Sequence, residues 1–426
     1  MSISLADYPL LKRIVGVGAV RGAAAFFAFI FNVLVARELG AAQAGQFFLV
    51  FSLVSALSVI VRMGMDNVLL RIFSLSWGKG DIGAANGIAL QIFSYVLLFS
   101  LAVTALFYIG SGVLSNDIFS DPSLQRVIEV FIVGVPLLAL SWLIGTVFQA
   151  MGLNAVQVSI QSLFLPLFMS ILIFFGDYSL QVLVGIWISG AAILLLISFG
   201  LVSSRVPWFQ EKRYIRAGEI YREAVPMWWM QSLKMVQMWG VPLFLGVFVA
   251  SQEFAWFHAA NRLTMLVGII LLVVSNVLAP KFSQLYDQGD MPGLARLAQH
   301  SVRYLLLLSV PVIILAVIYA EELLLLFGED FTAGAGIFRI LIIGQIVNVL
   351  TGSVGYLLMM TKHGKRVSQT ATINVIILLV LGSLFIPDYG LTAAAYVLVI
   401  SMSLTNLLNV VWVKRELGFN ALAFWR

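Results

Sequence analysis

The sequence predicts an all-α membrane protein with twelve transmembrane helices, arranged as two halves of six helices each. Of the 426 residues, 61% are hydrophobic and 11% are charged, whereas about 25% of residues are charged in a typical soluble domain. Apolar runs long enough to cross roughly 30 Å of hydrocarbon recur along the chain. Segments of the first half also recur in the second half at a constant offset, which indicates an internal duplication.

The composition also excludes several classes of function. The chain has no cysteine, so disulfides, thiolate metal sites and cysteine nucleophiles are not expected. The net charge of +5 is spread over short segments, which does not predict a nucleic-acid partner. We find no glycine-rich nucleotide loop and no metal-ligand motif. We therefore expect no cofactor, no metal and no enzymatic activity.

We expect the first predicted span to be retained in the protein and not to be a signal peptide, because its apolar stretch is long and carries Arg21. Eleven more spans follow it, and the loops between them are too short for an extramembrane catalytic or binding domain. The twelve predicted spans are residues 14–37, 45–64, 88–109, 127–149, 156–176, 180–202, 225–249, 254–279, 304–327, 336–358, 368–387 and 392–413.

The loop charges predict the orientation of these spans. With both termini in the cytoplasm, the inner segments carry 19 lysines and arginines, whereas the outer segments carry Arg37, Arg126 and Arg339. Cytoplasmic loops are generally enriched in Lys and Arg. The sequence therefore predicts a multi-pass membrane protein with both ends in the cytoplasm.

A shift of the sequence by about 210 residues aligns the two halves. It lays Phe131–Gly134 on Leu341–Gly344 and Gly45–Phe48 on Ala255–His258. An even number of spans in each half means that both halves begin on the same side of the membrane, as in parallel repeats. The predicted parts are an N-terminal six-helix lobe (1–202), a cytoplasmic linker (203–224), a C-terminal six-helix lobe (225–413) and a cytoplasmic tail (414–426).

Two segments near the start resemble a known family. Asn32–Phe48 contains an Ala-Arg-x-Leu-Gly helix end followed by Gly45-Gln-Phe, and Val61–Arg71 contains Gly64 and ends on an arginine. These features are similar to the opening of the Wzx-like lipid-linked oligosaccharide flippases of the multidrug/oligosaccharidyl-lipid/polysaccharide superfamily. The resemblance in length, span count and layout covers essentially the whole chain.

The resemblance implies a V-shaped bundle of two lobes around a cationic cavity. It also implies transfer of a polyprenyl-pyrophosphate oligosaccharide from the inner to the outer leaflet by alternating access, as in O-antigen and other polysaccharide assembly. The expected partners are this lipid-linked substrate, the bilayer and other polysaccharide-assembly membrane proteins. The chain departs from lipid II flippases, which have two extra spans, and from many drug exporters, which carry an aspartate in the first helix.

Three cations inside predicted spans are the candidate pyrophosphate ligands: Arg21, Lys234 and Arg262. Arg21 lies about seven residues into its span, or roughly 10 Å deep, and Lys234 lies about nine residues into the seventh span. Under the shift that aligns the halves, Arg21 and Lys234 fall within one helical turn of each other. Charged residues in spans usually face protein, water or a ligand. The alternative is snorkelling, in which a long basic side chain bends to the head groups.

Further residues are predicted to line the same cavity, or to have structural roles. Arg62 and Asp66 are spaced i,i+4 and are expected to pair with each other. The basic segment from Arg205 to Arg222 is expected to touch anionic lipid. The secondary cavity residues are Asn32, Gln231, Trp239, His258 and Asn261.

Two other classes of protein are compatible with many helical spans. A cation-coupled multidrug exporter of the same superfamily is expected to have Asp or Glu deep within the bundle. The acidic residues of the predicted spans, Glu129, Glu321 and Glu322, all lie within seven positions of a span end. A membrane-embedded glycosyltransferase or polymerase needs catalytic carboxylates or a large outer loop, and the chain has neither. The flippase interpretation is therefore preferred, with the drug exporter as the alternative.

Overall fold

The computed structural model describes residues 8–206, 208 and 212–422, and within these ranges the chain forms helices and turns without a β-strand. Parts of the predicted termini and linker, namely residues 1–7, 207, 209–211 and 423–426, lie outside the described residues. The α-helices are α1 Tyr8–Val61, α2 Met65–Gly78, α3 Ile82–Ile109, α4 Ser111–Val113, α5 Leu124–Phe131, α6 Gly134–Ala150, α7 Asn154–Val158, α8 Phe164–Phe174, α9 Leu180–Ser203, α10 Ala217–Met235, α11 Val241–Phe248, α12 Ser251–Asp287, α13 Met291–Ile318, α14 Ala320–Leu325, α15 Ala335–Thr351, α16 Val354–Met360 and α17 Gly364–Leu417.

The membrane prediction is confirmed, because nine helical stretches among the described residues are long and apolar enough to span a bilayer. Two of them, α1 and α17, each contain a non-helical glycine at which two helices meet, Gly40 (φ 66°) and Gly390 (φ 52°). A positive φ is accessible to glycine without the steric cost that a Cβ brings. The continuous helix from α10 through the π-helical turn Val236–Gly240 to α11 is not among the nine, so the count of twelve stays a prediction.

The helices group into two units by their contacts. The N-terminal unit contains the chain up to Leu39 and Gln46–Ser232, and the C-terminal unit contains Gly40–Gly45 and the chain from Leu233 onward. The division after Ser232 falls inside α10, not in the preceding loop.

The helix boundaries follow the predicted duplication. The start of α3 at Ile82 recurs in the second half at Met291, where α13 starts. The start of α7 at Asn154 recurs at Gly364, where α17 starts. Both pairs match the predicted shift to within a single position. The two halves therefore repeat the same order of helix starts.

The duplication extends to the caps of equivalent helices. Asp81 accepts a hydrogen bond from the backbone N–H of Ala84 at 3.1 Å, and Asp290 accepts one from Gly293 at 2.8 Å. Each aspartate is the N-cap of its helix and follows a glycine with positive φ. An N-cap carboxylate satisfies a backbone donor that the first turn leaves unpaired. The equivalent helices α3 and α13 thus begin with the same local chemistry.

An aromatic core joins the helices of the N-terminal unit. The rings of Phe47 and Phe131 lie 5.1 Å apart, those of Phe131 and Trp187 lie 4.7 Å apart, and all three side chains are buried. A Cβ at Gly134 would lie 2.5 Å from the Trp187 ring, so a larger residue on α6 would displace this ring of α9. Small residues commonly have this role between membrane helices.

Residues 212–216 of the predicted linker pack against α3 within the N-terminal unit. Gln91 exchanges two hydrogen bonds with the backbone of Ile215, at 2.8 and 3.0 Å. The Arg213 side chain donates to Asp81 at 2.8 Å, and a Cβ at Gly87 would lie 1.9 Å from the Arg213 carbonyl oxygen. Residues 212–216 are therefore held by specific contacts on the helix that they cross.

Candidate functional site

Arg21 is the first of the predicted ligands, and it lies on the apolar helix α1. Its side chain is exposed, and no described residue forms a hydrogen bond or an ion pair with it. Ala24, one turn later, is buried. A guanidinium that the protein itself leaves unpaired within a membrane helix requires water, lipid phosphate or a ligand to satisfy its five N–H donors.

Lys234 has the same character on α10, just before that helix meets the π-helical turn Val236–Gly240. Its side chain is exposed and has no hydrogen-bonding or ionic partner among the described residues. Gln237 donates to the Ala371 carbonyl at 3.2 Å, which ties this part of the helix to α17. The backbone next to Lys234 is therefore held in place by this contact with α17. The ammonium group of Lys234 has no bonding partner among the described residues.

Several loop cations behave differently, because they are paired with carboxylates. Arg213 lies 2.8 Å from Asp81, and Lys362 lies 2.8 Å from Asp287. The hydrogen bond and charge of Asp287 raise the pKa of Lys362, which lies in the loop between α16 and α17. These loop cations are thus neutralised by nearby carboxylates. Arg21 and Lys234 have no such carboxylate partner among the described residues.

Arg262 is half-buried on α12 and is oriented by a histidine. Its Nε–H donates to Nε2 of His258, one turn earlier, at 3.3 Å, and His258 is buried against the ring of Phe254 at 6.2 Å. This bond requires a lone pair on Nε2 of the histidine. No described residue bonds the two terminal nitrogens of Arg262. The guanidinium is therefore held at one edge and open at the other.

The remaining predicted cavity residues have different positions. Asn32 is buried and donates to the Ala28 carbonyl of its own helix at 2.5 Å. Trp239 is buried, with 9% of the residue exposed, and Asn261 is half-buried. Gln231 donates to Asp66 at 3.5 Å in the N-terminal unit. Of the predicted cavity residues, Arg262 and His258 are thus hydrogen-bonded to each other. Gln231 instead contacts Asp66, which the i,i+4 spacing predicts to pair with Arg62.

That structural pair, Arg62 and Asp66, is present and is more elaborate than the sequence indicated. Arg62 Nη1 lies 3.9 Å from Asp66 Oδ2, and both side chains are buried. The guanidinium also covers the ring of Trp142, 4.4 Å from its centroid, and donates to the Ser58 carbonyl at 3.0 Å. Trp142 lies far away along the chain, on α6, and its role has no local sequence signal.

Gly64, between Arg62 and Asp66, lets α10 reach this cluster. It has φ 72°, and a Cβ there would lie 2.5 Å from the backbone nitrogen of Trp228 and 2.8 Å from the Ala224 carbonyl oxygen. The backbone of α10 therefore lies directly against the turn that separates α1 from α2. The signal for this contact is the glycine in the motif that ends on Arg71, although its partner could not be read from the sequence.

Comparison with known proteins places this chain in a family. Residues 34–335 match the model of the family described as "Polysaccharide biosynthesis protein". A "Probable low-salt glycan biosynthesis flippase" of Haloferax volcanii is 20% identical over 39% of this chain, a match that spans only 35% of that relative. The "Uncharacterized membrane protein EpsK" of Bacillus subtilis is 23% identical, over 92% of this chain and 80% of the relative.

Two solved structures of membrane transport proteins have a fold similar to that of this chain. The lipid II flippase MurJ in an inward closed conformation matches with a TM-score of 0.72 and 14% identity, over 93% of this chain and 87% of that one. A multidrug transporter of the MATE family in an inward-facing conformation, titled as a member of the MOP superfamily, matches with a TM-score of 0.68 and 15% identity. This match covers 93% of this chain and 94% of that one. At these identities the likeness establishes the fold alone.

Proposed function

The chain belongs to the polysaccharide biosynthesis protein family and has the fold of the MOP transporters, and from this premise we propose that it flips a polyprenyl-pyrophosphate-linked oligosaccharide from the inner to the outer leaflet. It is a multi-pass membrane transporter. Under the proposal it works by alternating access in a bacterial cytoplasmic membrane, with both termini inside. Its product enters O-antigen or another surface polysaccharide.

The observation that supports this substrate is a pair of unpaired cations: Arg21 on the apolar helix α1, which is long enough to span a membrane, and Lys234 in the predicted seventh span. A charge inside a bilayer is costly unless water or an opposite charge accompanies it. A pyrophosphate head group supplies that opposite charge. Arginine matches phosphate oxygens with its planar fork, and lysine adds a compact point charge. Arg262, held at one edge by His258, is the third proposed ligand.

The membrane potential would favour outward movement of an anionic head group, and coupling to protons or sodium is the alternative driving force. Each elementary charge that crosses the membrane exchanges about 2.3 kcal/mol per 100 mV. A doubly negative head group that leaves a negative-inside cell therefore gains roughly 4 to 5 kcal/mol. The gain is smaller if the cations that bind the head group move across the membrane field with it.

The alternative is a drug exporter that binds cationic substrates, because MATE transporters share the fold. Such a site needs a carboxylate that is free to bind a cation. Among the described residues, the buried carboxylate is Asp66, and it is committed to Arg62 and Gln231. Unpaired positive groups on α1 and α10 favour an anionic substrate instead.

The test is export of surface polysaccharide in the native host after deletion of its own copy of the gene. We expect Arg21→Ala and Lys234→Ala to abolish the polysaccharide and to accumulate lipid-linked oligosaccharide in the inner leaflet, with normal amounts of protein in the membrane. Loss of one charged hydrogen-bond partner costs about 1.5–3 kcal/mol, or roughly 10- to 150-fold in affinity. Arg126→Ala is the control, because Arg126 is 74% exposed and pairs with Glu129 on the surface.

Lys234→Arg keeps the charge and should restore part of the export. Full export by both alanine variants would overturn the assignment of these residues as pyrophosphate ligands. Drug resistance conferred by the wild-type protein, without restored polysaccharide, would favour the exporter.

A further inference from the structure

Helix α13 has one face packed against the protein and one face outside it. Ala298, Val302 and Leu305 are buried, whereas positions 296, 300, 303, 307, 310 and 314 are all exposed. A helix turns by about 100° per residue, so these positions lie within about 80° of arc on the side opposite the buried residues. Because α13 is long and apolar enough to span a bilayer, we expect its exposed face to contact lipid.

The chemistry of this exposed face changes at one point along the helix. It carries Arg296, His300 and Arg303 in its first part, and beyond them it is apolar, with Leu307 72% exposed and Ile314 51% exposed. The change coincides with residue 304, where the predicted ninth span begins. The basic side chains therefore lie along about 10 Å of helix, beside the predicted boundary of the hydrocarbon layer. Lipid head groups occupy that level of a membrane.

The helix supplies no acidic group to neutralise these side chains, since α13 contains no Asp or Glu. The two carboxylates just before it are already bound: Asp287 pairs with Lys362, and Asp290 accepts the backbone N–H of Gly293. Arg296 donates its Nε–H to the Pro292 carbonyl of its own helix at 3.4 Å, and no described carboxylate forms an ion pair with it. The charge of Arg296 is therefore open to an anion from outside the protein.

The N-terminal unit uses the equivalent face in another way. The shift that aligns the start of α3 with the start of α13 places Gly87 on Arg296 and Gln91 on His300. No residue of α3 is charged, and Gly87 and Gln91 are the residues against which 212–216 pack. One half thus covers this face with its own chain, and the other half presents basic side chains. The basic face of α13 is consequently not a by-product of the repeated architecture.

We propose that the exposed face of α13 binds a resident anionic phospholipid, with the head-group phosphate at Arg296 and Arg303 and the acyl chains along Leu307 and Ile314. The guanidinium fork matches phosphate oxygens, and a histidine ring nitrogen is a further donor. A zwitterionic head group would bring its own ammonium group next to these cations, whereas an anionic head group brings no opposing charge. The site goes beyond the proposed function and does not depend on it.

The experiment uses the full chain in phosphatidylcholine vesicles. Because the sequence has no cysteine, Leu307→Cys carries a single bimane fluorophore one turn beyond Arg303. The quencher is either phosphatidylglycerol or phosphatidylcholine with a nitroxide near the head-group end of one acyl chain, at equal mole fractions. We expect the anionic lipid to be enriched around the label by about fivefold for each arginine that binds it. Equal quenching by the two lipids would overturn the proposal.

Substitutions of the basic residues test whether they cause the enrichment. Arg296→Gln should lower the enrichment by about fivefold, and Arg296→Gln combined with Arg303→Gln should abolish it. Quenching by phosphatidylcholine should stay the same in both variants, which shows that the label still faces lipid in a folded protein. Arg126→Gln removes an exposed arginine of the N-terminal unit and should leave the enrichment unchanged. Full enrichment in the doubly substituted protein would contradict the inference.

The matched control for the position of the label is Leu98→Cys. Leu98 of α3 is 66% exposed and corresponds to Leu307 under the same shift, but α3 carries no basic residue. The two quenching lipids should therefore act equally on a label at residue 98. Equal enrichment of the anionic lipid at both labels would trace it to the net charge of +5 and would refute a site on α13. None of these measurements involves transport, so their outcome is independent of the flippase assignment.

Discussion

Asp66→Asn should destabilise the protein far more than the loss of a surface ion pair, because Asp66 compensates a buried arginine. Two unit charges 3.9 Å apart attract by about 4 kcal/mol at an effective dielectric constant of about 20. Removing one partner of a buried pair costs about 3–5 kcal/mol, since the other charge stays behind. We therefore expect the free energy of unfolding to fall by about 4 kcal/mol. The measurement is reversible unfolding in mixed micelles, followed by tryptophan fluorescence.

The control is Arg126→Gln, which breaks an i,i+3 pair with Glu129 at 3.2 Å from the side of its exposed partner, since the Arg126 side chain is 74% exposed. Exposed pairs contribute about 0–1 kcal/mol, so this change should be almost silent. The double variant Arg62→Met with Asp66→Leu removes both charges and should recover most of the stability. If Asp66→Asn costs no more than the control, the electrostatic reasoning is wrong. If the double variant is stable but exports nothing, the pair has a gating role.

Two further predictions concern contacts of the N-terminal unit. Gly64→Ala should lower the free energy of unfolding by about 2–5 kcal/mol, because the backbone adopts a positive φ and the new Cβ forces α10 away from this turn. The control is Gly22→Ala, which has nothing within 4 Å of its Cβ and should not lower the free energy of unfolding in the same denaturation assay. Gln91→Leu should speed tryptic cleavage after Arg213 by about tenfold or more, because two hydrogen bonds to Ile215 are lost, each contributing about 1 kcal/mol. Unchanged cleavage would show that this segment is held by other contacts.

Most of the architecture could be predicted from the sequence, because hydropathy reports directly on bilayer-spanning length. The predicted ninth span at 304–327 lies partly in α13, whose helix begins earlier at Met291. The reason is that a helix continues beyond the hydrocarbon layer wherever polar residues can face water. The constant offset between the halves was readable from a few short matches, and the helix boundaries follow it.

The site was only partly predictable. The pairing of Arg62 with Asp66 follows from i,i+4 spacing, which is a local property of a helix. The contacts of these residues with Trp142 and Gln231 join segments that are far apart along the chain, and no single segment encodes them.

The position of the boundary between the two units has a practical consequence for anyone who wishes to express the halves as separate polypeptides. A gene divided in the loop after α9 would remove Ile215 and Gln231 from the N-terminal fragment, although Gln91 and Asp66 bind them there. The fragment would lose residues 212–216, which pack against α3. A split placed after Ser232 keeps these contacts on one polypeptide, at the cost of cutting a helix in two.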